Sequence, residues 1–160
     1  MKAMKRTLRR FRGDSEGNAT IEFALLIPAL GLVLGMAIEI SAMVLAEGLL
    51  ESAAMKTARI ASTGYTSEGK SREQTIQEYL ARETFGLLSP LRVAVASKAY
   101  PSYSELEANP EGGVAGFGGP NDVVRYSFSY PWDGLTPLLK GVLGAQVLTA
   151  SVAVRNEPFE

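Results

Sequence analysis

The chain has 160 residues, with 16 basic and 17 acidic side chains and a formal net charge of −1 at pH 7. It contains neither histidine nor cysteine, which excludes disulfides, imidazole or thiolate metal sites, and nucleophiles paired as Ser–His or Cys–His. We therefore expect no enzymatic activity, no bound metal and no cofactor.

The charges are unevenly distributed along the chain. The first twelve residues hold no acid and six basic side chains: Lys2, Lys5, Arg6, Arg9, Arg10 and Arg12. Everything after Gly17 is mildly acidic. Because the basic cluster adjoins an apolar segment rather than a folded surface, nucleic-acid binding is a poor explanation for it.

An apolar run extends from Phe23 to Ala46, and Glu39 is its only charge. As a helix the run is about 36 Å long, enough to cross a hydrocarbon core of about 30 Å. The positive-inside rule places the basic tip in the cytoplasm and the C-terminal part on the other side of the membrane. The sequence therefore predicts a single-pass membrane protein.

Three interpretations of this N-terminus remain open. It is a removable secretory signal cut after Ala46, an uncleaved anchor, or a leader that ends in Gly17 before a processed span. In the third case Asn18 becomes the new N-terminus, and Glu22, beside Phe23, is the fifth mature residue. The Glu22 carboxylate at the start of the apolar run either pairs with a cation of a partner subunit or lies hydrated among the lipid headgroups.

The apolar helix carries a small-residue motif. Gly31, Gly35 and Glu39 follow one another at intervals of four residues, so they share one helix face. Small residues allow close helix packing in lipid, and a polar group on that face can bond across the contact. The alternative is that Glu39 snorkels to the outer interface.

Beyond the lipid, periodicity predicts that this helix continues to Ser62 and ends at Gly64. Ser71 and Gln74 form a capping box that opens a second helix, which ends at Ser89-Pro90. Period-two alternation then predicts three strands, over 91–96, 124–130 and 146–155, with a short apolar turn or helix at Leu135–Leu143. The fold class is α+β: the long helix, the second helix and a small three-stranded antiparallel sheet.

One irregular stretch, Pro101–Pro120, is rich in glycine. It lacks the Gly-Lys-Ser/Thr of a P-loop and the GxGxxG spacing of a dinucleotide site. We interpret it as a mobile surface loop, not as a phosphate-binding loop.

The segment Gly17–Phe23 (GNATIEF), the apolar helix with Glu39 near its outer end, the continuation Leu50–Arg59 and the ending Arg155–Pro158 resemble the TadE-like family. Members are minor pseudopilins of the tight-adherence (Flp) type IV pilus of bacteria. The resemblance implies that a prepilin peptidase cuts between Gly17 and Asn18. It also implies that Glu22 and Phe23 act in assembly, with Glu22 pairing the free amine of a neighbouring subunit.

The resemblance further implies an inner-membrane protein with a cytoplasmic N-terminus and a periplasmic or extracellular head. Its partners would be other pilins or pseudopilins, prepilin peptidase, the pilus assembly machinery and the lipid bilayer, with a role in pilus assembly or secretion. The predicted division is a leader at 1–17, a transmembrane and extended helix at 18–63, and a head at 64–160. The alternatives are an uncleaved, membrane-anchored binding or accessory protein, and a secreted domain that starts at Glu47.

Overall fold

The computed structural model describes residues 16–85, 87–135, 141 and 144–158. Most of the predicted leader and most of the predicted apolar segment Leu135–Leu143 lie outside these described residues. The chain forms two compact units, Met1–Ile40 and Ser41–Glu160. We call them the first and the second unit.

Helix α1 runs from Glu16 to Ser62, with Pro28 inside it. It supplies the described part of the first unit and continues into the second. After Ser62 the backbone turns through Gly64, whose φ of 73° lies in the left-handed region that glycine tolerates best. The predicted long helix and its end are confirmed, and the observed start at Glu16 precedes the predicted start at residue 18.

Helix α2 spans Arg72–Glu83 and opens with the predicted capping box. The Ser71 Oγ accepts a hydrogen bond from the Gln74 amide at 3.2 Å, and the Ser71 amide donates to Gln74 Oε1 at 2.9 Å. These bonds satisfy N–H groups that have no partner within the helix.

The predicted end of α2 near Ser89 is wrong. Thr84 closes the helix, because both its amide and its Oγ1 donate to the Leu80 carbonyl, at 3.0 and 2.9 Å. Phe85 then takes a left-handed backbone conformation with φ of 52°. The apolar residues that follow were assigned to the helix because their spacing continues its period, but they belong to the connection after it.

Within the described residues the sheet has four antiparallel strands, not the three predicted. They are β1 (Ala94–Tyr100), β2 (Val114–Ala115), β3 (Val123–Trp132) and β4 (Gln146–Arg155), in the spatial order β2-β1-β3-β4. The missed strand β2 pairs only at Lys98↔Ala115 and Ala99↔Val114. Two residues are too few to show an alternating pattern.

Two further details differ from the sequence prediction. The first strand begins at Ala94 rather than Leu91, because Pro90–Arg92 form a single turn of 3-10 helix. The stretch Pro101–Pro120 also contains a short helix α3, Tyr103–Ala108, in addition to β2. Ser102 caps α3 by accepting a hydrogen bond from the Glu105 amide at 3.3 Å.

The core of the second unit lies between one face of the sheet and the two longer helices. The alternation predicted for β3 is confirmed, since every second side chain from Val124 to Tyr130 is buried. The part of α1 that meets the sheet is rich in alanine, which lets backbone and sheet approach closely. The helical members of the core are Ala46, Leu50, Ala53, Ala54, Ala58, Ala61, Ile76 and Leu80.

Candidate membrane and assembly surface of the N-terminal helix

The described part of α1 in the first unit is an apolar surface without a protein core. The helix contains a window of mean hydropathy 2.3 of which none is buried, so by length and composition it is a candidate membrane span. Its large side chains are 45–73% exposed: Ile21, Phe23, Leu25, Leu26, Ile27, Leu30, Leu32, Val33, Leu34, Ile38 and Ile40. Full burial of such a side chain contributes about 1.5–3 kcal/mol. This surface therefore requires lipid or other apolar helices around it.

One face of α1 enters the core of the second unit near the end of the apolar run. Ala46 is buried in its core, and Met43 packs against that core. On this face the last residues of the predicted apolar run therefore contact protein. From Ala19 to Ser41 the helix is about 34 Å long, which still matches a hydrocarbon core of about 30 Å.

The residues of the predicted processing site lie at the start of α1. Gly17 and Asn18 belong to its first turn, since the helix begins at Glu16. Glu22 follows Asn18 by four residues, so it lies one helical turn further along the same side. Both Glu22 and Phe23 are exposed.

The small-residue face has a graded exposure. Gly31 is exposed, and a Cβ added there would meet nothing within 4 Å. Gly35 is half-buried, whereas Glu39 is only 1% exposed. The three residues fall within about 80° around the helix. Glu39 is therefore almost wholly covered by other atoms of the chain.

Glu22 and Glu39 do not share a face. Seventeen residues separate them, which at 100° per residue leaves them about 100° apart around the axis. A neighbouring helix that meets the Gly31 face therefore does not have to cover Glu22 as well. The two acids therefore lie on different sides of the helix.

On the second unit, an exposed ion cluster lies on the sheet face opposite the core. Lys98 Nζ approaches the Glu111 carboxylate to 2.8 Å, and Arg125 approaches it to 3.7 Å. The hydrogen bond from Lys98 and, to a smaller extent, its positive charge lower the pKa of Glu111.

In the core of the second unit, burial raises the pKa of the Tyr126 hydroxyl.

The residue that organises the glycine-rich loop lies outside the loop, directly after β4. Asn156 is 2% exposed, and its Nδ2 donates to the carbonyls of Phe117 and Gly119, each at 2.9 Å. Gly119 in turn donates its amide to Asp122 Oδ2 at 2.7 Å. The loop was interpreted as mobile, but its backbone is held by the segment after β4. The local sequence signal that points to Asn156 is a polar residue directly after an alternating strand.

Comparison with known proteins identifies the N-terminal helix. Residues 17–59 match the family model described as TadE-like protein, which confirms the predicted TadE-like resemblance over this segment. The match covers 43 of the 160 residues. It does not include the Arg155–Pro158 ending. The chain has no match among curated proteins or solved structures.

Proposed function

From the TadE-like match, we propose that this protein is a minor pseudopilin-like subunit of a tight-adherence pilus or a related secretion apparatus. The observation that carries the proposal is where the match begins. It starts at Gly17, the residue after which the sequence predicts cleavage, and it extends along α1 to Arg59. The proposed role is structural, with no catalysis by this chain.

In this mechanism the helix is the working element. Cleavage after Gly17 by a prepilin peptidase releases the amine of Asn18. Glu22 then compensates the positive amine of a neighbouring subunit, because an ionised carboxylate at the edge of the lipid gains from a cationic partner. The exposed part of the small-residue face, at Gly31 and the half-buried Gly35, packs against like helices. The second unit stays outside the inner membrane and meets other pilins.

The second candidate function is that of an uncleaved anchored accessory protein, which would keep the same topology. A secreted domain starting at Glu47 is disfavoured by the packing of α1. Such a cut would remove Ala46, which is 5% exposed, and Met43 from the core of the second unit.

The test is the intact mass and N-terminal sequence of the membrane-extracted protein from a host with its prepilin peptidase. We expect a start at Asn18. A Gly17→Leu variant should insert in the membrane but keep its leader, whereas a matched Gly13→Leu variant should mature normally.

The other outcomes each decide against the proposal. A start at Met1 in the wild type supports the uncleaved anchor, and a start at Glu47 supports the secreted form. Normal maturation of Gly17→Leu would show that the cleavage site is misplaced.

A further inference from the structure

The sheet of the second unit ends in two edge strands that differ in length. In the order β2-β1-β3-β4, one edge is β2, which has only 2 residues, and the other is β4, which has 10. An edge strand presents unpaired backbone N–H and C=O groups, and folded proteins usually protect it by shortness, charge, proline or a bulge. Strand β2 is protected by its shortness.

Strand β4 has none of these protections over most of its length. No charge and no proline lies between Gln146 and Val154, and Arg155 at the end of the strand is its only charged residue. Its pairing with β3 runs without a bulge from Trp132↔Gln146 to Val123↔Arg155. An edge of this length and regularity is a template for a further strand.

The hydrogen bonds determine which backbone groups of β4 face outward. The Asn156 amide donates to the Asp122 carbonyl at 2.8 Å, and these two residues continue the register of β3 with β4. In an antiparallel ladder, opposite residues that bond to each other alternate with opposite residues that do not. The even-numbered residues of β4 therefore bond to β3. The odd-numbered residues turn their N–H and C=O groups outward: Val147, Thr149, Ser151, Ala153 and Arg155.

This outward edge is open in the structure. Among the described residues, no hydrogen bond reaches the outward backbone groups from Val147 to Ala153. The side chains of the same odd-numbered residues are exposed on the sheet face opposite the core. The edge therefore offers both its backbone groups and one row of side chains to a partner.

Apolar surface borders the edge on both faces of the sheet. On the outer face a groove runs between α3 and β4, with Leu106 and Pro110 on one side and Ala153 on the other. On the core face Val152 and Val154 pack against the core but are only half-buried. An added strand would cover this surface with its own alternating side chains.

We propose that the outward edge of β4 binds an extended segment of another protein chain, which joins the sheet as a fifth strand. Outward groups that repeat about every 7 Å along one line are complementary to an extended backbone, not to a helix or a small molecule. The segment pairs antiparallel, is uncharged beside the uncharged part of β4 and carries an acid opposite Arg155. Because β4 contains no acid, a second copy of β4 leaves Arg155 without an opposite charge in every register.

This binding surface goes beyond assembly through α1. It depends neither on cleavage after Gly17 nor on membrane insertion, so its test and the test of the proposed function can fail separately.

The probe is a synthetic peptide with blocked ends, Glu-Val-Leu-Val-Ser-Val-Thr-Val-Ser, designed for the antiparallel register. Its glutamate lies opposite Arg155, its leucine lies opposite Ala153 beside the groove, and its valines face the core side. The full chain is kept in mild detergent, and hydrogen exchange of its amides is followed by NMR.

In the free chain, the outward amides of Thr149, Ser151 and Ala153 should exchange rapidly, whereas the amides of Ala150 and Val152, which bond to β3, should be protected. At about ten times the dissociation constant, about one molecule in eleven is free, so the peptide should slow exchange of the outward amides about tenfold. Exchange at Ala150 and Val152 should not change.

Two N-methylated peptides provide the matched control. Methylation of the third and fifth residues removes donors that face β4 and should abolish binding. Methylation of the fourth and sixth residues removes donors that face away, so this peptide should bind like the parent.

A pair of variants tests the same edge from the protein side. Thr149→Pro removes one outward N–H and leaves the bonds to β3 in place, whereas Thr149→Ala keeps that N–H. The proline variant should bind the peptide at least about threefold more weakly than the alanine variant, because one hydrogen bond is lost. The methylated peptides decide the question even if Thr149→Pro fails to fold.

Unchanged exchange of the outward amides in the presence of the peptide would overturn the proposal, and so would equal effects of the two methylated peptides. Slow exchange of these amides before the peptide is added would also overturn it. At all protein concentrations, that result would show that the chain covers this edge itself. At high protein concentration alone, it would show that a second copy is the occupant.

Discussion

Replacing Asn156 tests whether the C-terminal segment organises the glycine-rich loop. Asn156→Ala removes both hydrogen bonds from Nδ2, so the carbonyls of Phe117 and Gly119 lose a donor. Asn156 is only 2% exposed, so water does not readily replace that donor. A net hydrogen bond contributes about 0.5–1.5 kcal/mol, and a buried group left without a partner costs about 1–3 kcal/mol. We expect the free energy of unfolding to fall by about 2–3 kcal/mol.

The assay is urea unfolding of the full chain in mild detergent, followed by the fluorescence of Trp132, the single tryptophan. With a slope of about 2 kcal/mol per molar urea, the midpoint should fall by about 1–1.5 M. The control is Ser151→Ala on the exposed face of β4, which removes one 3.3 Å contact with Ser127. Its change should stay within about 0.5 kcal/mol.

A further variant separates hydrogen bonding from loss of volume. Asn156→Asp keeps the shape of the side chain but removes the donor and turns a carboxylate oxygen towards two carbonyls. It should destabilise at neutral pH at least as much as the alanine variant. If Asn156→Ala shifts the midpoint no more than Ser151→Ala, or if Asn156→Asp is neutral, the loop does not depend on these bonds and the reasoning is wrong.

Two other predictions concern α2. Ser71→Ala removes the N-terminal cap and should destabilise by about 1 kcal/mol, seen as faster amide exchange at Gln74, and unchanged exchange would contradict this. In Lys56→Gln, Glu83 loses the hydrogen bond that lowers its pKa below 4.5, so its carbon-13 titration should move upward. A carboxyl group whose pKa is lower in the folded than in the unfolded chain stabilises the fold at pH values above its pKa in the unfolded chain. The variant should therefore be less stable than the wild type at neutral pH and equally stable well below pH 4.5. A deficit that persists in acid would contradict the assignment.

Local patterns predicted the elements whose signals are local. Strand β4 has the bounds 146–155 that its uncharged alternation indicates, and the capping box needs only Ser71 and Gln74. The predicted start of β1 at Leu91 is wrong, because Leu91 continues the alternating pattern without belonging to the strand. The neighbouring Arg92 instead bonds to the Pro131 carbonyl and pairs with Asp133. No periodicity encodes a contact between residues so far apart in sequence.

The functional and loop-organising residues likewise divide into those that a local sequence pattern indicates and those defined by contacts distant in sequence. Gly17, Glu22 and the Gly31–Gly35 motif can be proposed from the sequence, because the processing and helix-packing motifs they resemble are defined by short spacings. The role of Asn156 is hidden, since its partners lie 37 and 39 residues earlier in the chain. Strand β2 is equally hidden, because its two residues are defined only by pairing with β1.

Hydropathy does not show where the apolar run of α1 enters the core of the second unit, for a physical reason. Small apolar residues suit close helix contacts in lipid and close contacts beneath a sheet equally well. Ala46 therefore extends the apolar run while belonging to the core of the second unit. The TadE-like match crosses the same boundary, since it continues to Arg59 past the buried Leu50 and Ala53. The family signature thus covers one helix in two environments. A substitution at Ala53 should consequently affect folding of the head, whereas one at Gly31 should affect contacts between subunits.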